Sequence, residues 1–381
     1  MPARARIEKL VILDEPETRM RRVAARLSRL ASGVAESAAA PEGAVVAARY
    51  LQGASALAGH VPELRETANR LAEAVSALEP RPGMSAETAA CVALAELERA
   101  ASGDGAALER AAVWARRLSS AGGAPGAPEP GELGPRAALA LAKAAAATGE
   151  ARFREAAERE IAGCQAGDKQ ADFGDIVTAR ALAALGCADG LERAKAACGR
   201  AASCRDSGAP ESAGSDPAAT AEGALLACDL WAAEQDARYL DAIERAALNG
   251  FLFEQTDDGG AVAGRTLDGD AGEIDDAAGT PALASGLACA ARHSLFADAE
   301  GRIVGGLAAN AVATVRVGQS TDMRCIVSTQ RPVRGWTKWT FEPLKPSAAP
   351  SVSTSTLRPA RRKRMVTPAP EAAEKPERGP S

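Results

Sequence analysis

Between residues 44 and 248 one hydrophobic pattern recurs along the chain. An alanine-rich apolar stretch leads into a short polar turn. A second stretch follows with apolar residues on one helical face and charges on the other. The first stretches fall at 44–58, 85–101, 135–147, 175–186 and 217–233. The second stretches begin near Pro62, Gly105, Ala151, Asp189 and Ala237, at intervals of 38 to 48 residues. Polar turns such as Ser102-Gly103-Asp104 and Thr148-Gly149-Glu150 separate the two members. Each unit therefore reads as a helical hairpin. One hairpin cannot bury its own apolar face, so neighbouring hairpins must stack on one another. The stack can stay open as a solenoid or close into an α/α toroid. A basic helix over 19–34 and a last helix from Pro281 to Leu295 would supply a sixth hairpin and close the ring.

The most clearly written hairpin spans Asp216 to Leu252. Asp216 suits an N-cap, and Pro217 suits the first helical position, where its missing N–H costs nothing. Leu225, Leu226, Leu230 and Trp231 form an apolar stripe that Gln235 and Asp236 interrupt. Tyr239, Leu240, Ile243, Ala247 and Leu248 line one face of the second helix, and Asn249-Gly250 reads as its left-handed stop.

The texture changes after Phe253. Residues 254–279 are acidic and glycine-rich, as expected of a long loop. Short alternating runs at 302–307, 312–317, 323–328 and 336–341 read as antiparallel strands. Residues 7–13, IEKLVIL, fit a short strand or a helix lead-in. The expected organisation is a mainly α fold, an α/α toroid of helical hairpins with a small C-terminal antiparallel β region. It divides into a helical lead-in over 1–40, the toroid over 41–300, the β region over 301–342, and a disordered Pro/Ser-rich basic tail over 343–381.

Composition narrows the chemistry. Hydrophobic residues make up 46% and charged residues 25%, enough for a packed core. The net charge of −5 excludes a general basic surface, so no nucleic-acid partner is implied. The cluster Arg358, Arg361, Arg362, Lys363 and Arg364 reads as a solvating run in the tail. The opening apolar run is too short for a secretion signal, and no stretch is apolar enough for a membrane span. The cytoplasm is the expected compartment. Eight cysteines occur without a C-x-x-C pair, and most sit in apolar stripes, which suits buried small hydrophobes in a reducing compartment. No metal site and no cofactor are expected. Of the two histidines, His60 falls in an exposed inter-helix turn. His293 suits a cation at a helix C-terminus. The acidic loop lacks EF-hand spacing and reads as solvated.

Two stretches, DARYLDAIERAALNGFLFEQTDDGG and GTPALASGLACAARHSLFADAEGRIVGGL, resemble segments of the β-L-arabinofuranosidase-like glycoside hydrolases, a six-hairpin toroid family. The likeness covers residues 216–306. It implies a general acid and a zinc-bound cysteine in a Glu-x-Cys motif, which here is Glu222-Gly223-Ala224. It also implies an adjacent cysteine pair, one of them the nucleophile, at the positions of Ala278-Gly279. A G-H-A-V helix start is matched by Gly174-Asp175-Ile176-Val177. The carboxylate is kept, and the thiols and the histidine are not. The resemblance therefore implies a divergent glycosidase-like protein, catalytically reduced or inactive. Glu222 is the remaining catalytic candidate, with a pKa expected to be raised by burial. Asp175 is the substrate-binding candidate if its side chain converges with Glu222, although a helix-cap role explains it better. The expected partner is a carbohydrate ligand in the central cavity. The alternative is an α-helical scaffold that binds a protein on its concave face.

Overall fold

The computed structural model describes residues 5–13, 15–81, 84–121, 133–164, 173–206, 216–251, 254–264, 272–297, 303–305, 310–317, 321–329 and 337–344. The helices are α1 (Glu15–Ser37), α2 (Pro41–Ala58), α3 (Leu64–Ser76), α4 (Ala86–Ala101), α5 (Gly105–Ala121), α6 (Pro135–Thr148), α7 (Ala151–Gly163), α8 (Phe173–Leu185), α9 (Ala188–Asp206), α10 (Pro217–Glu234), α11 (Ala237–Arg245) and α12 (Gly279–Arg292).

Helices α2, α4, α6, α8, α10 and α12 pack side by side in that order, and α12 returns to α2, so the ring is closed. The others form an outer layer, each set against the inner helix before it in the chain; α1 lies across α2, α3 and α12. This is the expected toroid, with its sixth hairpin made from the two ends of the helical region. The two layers explain the two kinds of sequence stretch. An inner helix touches neighbours on both sides and an outer helix behind, so it is apolar nearly all round. In α6, Ala137 through Ala142 are all buried. Alanine lets such helices approach closely. An outer helix buries one stripe only, as α3 does with Leu64, Ala68, Leu71 and Val75. Each such leucine contributes about 1.5–3 kcal/mol by leaving water.

Gly53 marks how tight the ring closure is. A Cβ there would lie 2.6 Å from the Pro281 carbonyl oxygen on α12. The end of α11 departs from the sequence expectation. Asn249-Gly250 is not a left-handed stop: the helix continues as a π-helical turn over Ala246–Phe251, and Gly250 has no positive φ. A Cβ at Gly250 would stand 2.5 Å from Thr220 Cγ2, so the glycine serves close approach to α10. The left-handed residue lies earlier, at Gln235 with φ 57°, which ends α10. Asp216 caps that helix as expected, accepting from the Ala218 and Ala219 amides.

The acidic loop is not simply solvated. Asp258 and Asp276 both accept from Arg26 on α1, whose side chain is nearly buried. Asp275 accepts from the Ala278 and Gly279 amides at 2.9 and 2.8 Å and so caps α12. Asp268 and Asp270 lie outside the described residues.

Among the described residues eight short strands complete the fold: β1 (Ala5–Ile12), β2 (Val262–Ala263), β3 (Glu273–Ile274), β4 (Phe296–Ala297), β5 (Ile303–Val304), β6 (Ala311–Val317), β7 (Thr321–Thr329) and β8 (Thr337–Pro343). Strands β1, β6, β7 and β8 form an antiparallel sheet in that order. The residues expected as a helical lead-in, 1–40, thus divide between this sheet and the ring. Ala311, Ala313, Val315, Cys325 and Val327 alternate inward and join the core of the toroid. Trp339 and Phe341 pack on its edge. Among the described residues no helix is long and apolar enough to cross a membrane. The tail beyond residue 344 lies outside the described residues.

Candidate functional site at the centre of the ring

The hub of the ring is lined by charge. Each inner helix brings one or two ionisable residues into an otherwise alanine- and leucine-rich face. Arg49 (α2) and Arg136 (α6) both reach Glu87 (α4) at 3.0 Å. Arg180 (α8) binds Glu222 at 2.5 Å and Asp229 at 2.9 Å, both on α10. Lys143 (α6) stands 3.7 Å from the same Asp229. Toward the C-terminal rim, Arg292 (α12) meets Glu98 (α4) at 2.6 Å. The result is a ladder of alternating charges that crosses from helix to helix.

Glu222, the catalytic candidate, is buried in this ladder. Burial pushes its pKa up, but the charges of Arg180, Arg136 and Lys143 more than offset that, and the carboxyl is held below its ordinary value. The expectation of a raised pKa is therefore corrected. A general acid must carry its proton at working pH, and this carboxylate gives its proton up. Asp229 behaves in the same way: burial raises its pKa, while Lys143 and Arg180 bring the net shift below the usual value. Burial and Arg180 lower the Lys143 ammonium, with Asp229 opposing.

Asp175 lines a different recess from Glu222. It lies in the first turn of α8 and faces a recess toward α9, with Cys164, Thr178 and Arg193.

Near Glu222 a small void of about 30 Å³ opens at the N-terminal ends of the inner helices. Arg49, Gln52, Arg136, Phe173, Glu222 and Ser285 line it. It holds roughly one water molecule and no sugar ring. Phe173 is the aromatic at its wall, and the Arg136 guanidinium covers its face, 5.2 Å from the ring centroid. Tyr50, Trp114, Phe153, Trp231, Tyr239 and Phe251 are buried in packing. A larger recess of about 650 Å³ lies at the C-terminal ends of α2, α4 and α12, with Ser55, His60, Arg65, Glu98 and Arg292 in its wall.

The zinc that the resemblance implies does not fit where the motif would hold it. Ala224 is buried and offers no donor. Ala278 and Gly279 offer none either, and a Cβ at Gly279 would already stand 3.0 Å from Ala261 Cβ. Glu222 is taken by Arg180. No hydrolytic step runs through a metal at those positions.

Three sequence expectations are corrected nearby. His60 is not exposed: burial and Arg292 lower its pKa to about 4, so its imidazole is neutral. His293 is not a cation completing the helix dipole, because burial and Arg292 also lower its pKa, and its Nδ1 lies 2.8 Å from the Cys289 carbonyl. Cys228 and Cys289 are not separate buried hydrophobes. They are joined as a disulfide between α10 and α12, with His293 beside them. Their spacing of 61 residues carried no signal, because only ring closure makes α10 and α12 neighbours.

The partners of Glu222 did leave a trace in the sequence. Arg136 and Lys143 are seven residues apart, and so are Glu222 and Asp229. That spacing is two helical turns and puts each pair on one face. A charged residue alone in an alanine-rich helix that packs on all sides must find an opposite charge.

No profile of a known protein family matches the sequence, and no curated protein matches it. Solved structures do match its fold. A β-arabinofuranosidase of glycoside hydrolase family 127 superposes with a TM-score of 0.65 at 14% identity, over 89% of this chain and 69% of that one. A β-L-arabinofuranosidase of the same family from Geobacillus stearothermophilus gives 0.57 at 16% identity, over 85% and 67%. A family 76 α-mannanase from Bacteroides thetaiotaomicron gives 0.50 at 11%, over 66% and 85%. The chain thus has a glycoside-hydrolase-like toroidal fold. At these identities the likeness shows the fold alone.

Proposed function

We propose that this chain is a divergent, catalytically inactive toroid of the glycoside-hydrolase type. The observation that carries the reading is the Arg180–Glu222 pair. The one carboxylate at the motif position is ionised and tied to a buried guanidinium, with room beside it for about one water. Neither a proton for a leaving group nor a space for a sugar ring is left there. Any carbohydrate contact falls to the mouth of the void, where Arg49, Gln52 and Arg136 offer hydrogen-bond donors.

The filled hub supports a second reading, an α-helical scaffold that binds a protein partner. In that case the charge ladder holds the ring shut instead of receiving a ligand.

A screen of aryl glycosides, with and without added zinc, tests the first reading. No turnover is expected. Turnover that disappears in Glu222→Gln would show a working general acid and end the proposal of inactivity. A glycan array run with the same protein separates the two readings. Binding that Arg136→Ala weakens supports the carbohydrate mouth, and an empty array leaves the scaffold.

A further inference from the structure

The same ring closure that fills the hub gathers three soft donors at the seam of α10 and α12. Cys228 Sγ and His293 Nδ1 are 3.6 Å apart, and Cys289 Sγ and His293 Nδ1 are 3.9 Å apart. All three donor atoms lie within 4.8 Å of one another, and they form the one such three-residue group among the described residues. Cys289 is buried, and Cys228 and His293 are half-buried.

We propose that in the reduced protein Cys228, Cys289 and His293 form a three-ligand site for a divalent ion of the zinc class. This inference does not rest on the glycosidase reading, and the residues differ from those the resemblance points to. The two sulfur-to-nitrogen distances fit the ion, and reduction frees the two sulfurs to part. Bonds of about 2.3 Å to sulfur and about 2.0 Å to nitrogen, set at tetrahedral angles, place S and N roughly 3.6 Å apart and two sulfurs roughly 3.8 Å apart. The two Cα atoms stand 7.2 Å apart. That is wider than the roughly 4.4–6.8 Å usual for a bridged pair, and it leaves space for an ion between the sulfurs.

The chemistry also balances. A phosphine or dithiol reductant supplies two electrons, the Sγ–Sγ bond breaks, and two thiols form. The ion displaces both thiol protons to solvent, and the two thiolates cancel its charge within an apolar seam. His293 Nδ1 now faces the Cys289 carbonyl; when it ligates, its proton moves to Nε2 through solvent. The carbonyl keeps the His293 backbone N–H at 3.2 Å, so no buried acceptor is orphaned. A Cys₂His set with a fourth position left to water selects zinc or cobalt over magnesium or calcium.

The full chain, reduced with a phosphine and desalted without air, is titrated with Co²⁺. A thiolate-to-cobalt band in the near ultraviolet and the visible bands of a tetrahedral ion are expected. Both should saturate at one ion per chain, bleach on adding Zn²⁺ and resist Mg²⁺. The variant Cys228→Ser/Cys289→Ser should lose them. In the unmutated chain, zinc should protect these two cysteines from iodoacetamide while the exposed Cys187 goes on reacting. Peptide mass spectrometry reads that result without relying on a variant that folds. Equal alkylation of Cys228 and Cys289 with and without zinc overturns the proposal. So does a cobalt spectrum unchanged in the double variant, or a disulfide that reductant does not open in the folded chain.

Discussion

Glu222 is a buried ionisable residue and His60 a half-buried one, and the fold treats them in opposite ways. Glu222 is kept charged because Arg180 lies against it; breaking such a pair costs more than the pair contributes, since the survivor is left uncompensated. His60 has no such partner. Its Nδ1 is buried without a hydrogen bond, and the ring stays neutral with a pKa of about 4. The unfolded chain takes up this proton below about pH 6.5, whereas the folded chain does so only below about pH 4. Stability from this residue is therefore constant above that window and falls as pH drops through it. Glu222 and Asp229, with lowered pKa values, add their own loss below the ordinary carboxylate range. Replacing His60 isolates its share. In His60→Gln, the urea midpoint should fall less between about pH 7 and about pH 4.5 than in the unmutated protein. Parallel curves would show that His60 does not hold its proton off.

At the level of the elements, the expected hairpins and the observed ones agree closely in place. The Ala-rich stretch at 135–147 becomes Pro135–Thr148, and the stretch at 217–233 becomes Pro217–Glu234. Periodicity was readable because each helix type meets one environment along its whole length. Helix ends and contacts were less readable, because neighbours set them. Gly250 looked like a stop and is a contact with Thr220. Gly53 gave no signal at all, yet α2 and α12 meet over it. Gly53→Ala would place a methyl against Pro281 backbone, which cannot swing aside as a side chain can. It should destabilise by about 1–3 kcal/mol. Gly59→Ala, at the end of the same helix with open space around it, should change stability by less than about 1 kcal/mol. Chemical denaturation of the two variants measures the difference. Equal midpoints would mean that the ring closes more loosely than this geometry requires.

For the whole molecule, closure is the property on which the rest depends. The two ends of the helical region meet when α1 lies across α2 and α12, and β1 joins the sheet that follows α12. Met20, Val23, Leu27 and Ala31 of α1 are buried in the common core. A chain beginning at Pro41 would expose that face and leave β6 as an edge strand paired only with β7. It should lose the single cooperative unfolding transition and bind a hydrophobic dye, as judged by calorimetry and fluorescence. A sharp transition near that of the full chain would show that α1 is an addition to the ring and not a part of it.

The sequence by itself determined five of the hairpins, which helices are amphipathic and the lack of the thiols at the family positions. Those features are local, written in periodicity and in which side chain stands at which place. Only the tertiary structure decided that Arg180 neutralises Glu222, that Asp175 lines a different recess, and that Cys228, Cys289 and His293 meet. These outcomes depend on residues 42 to 65 positions apart. Such separations become contacts only when the inner helices close on themselves, because a helix sets the face a side chain takes but not the helix it faces.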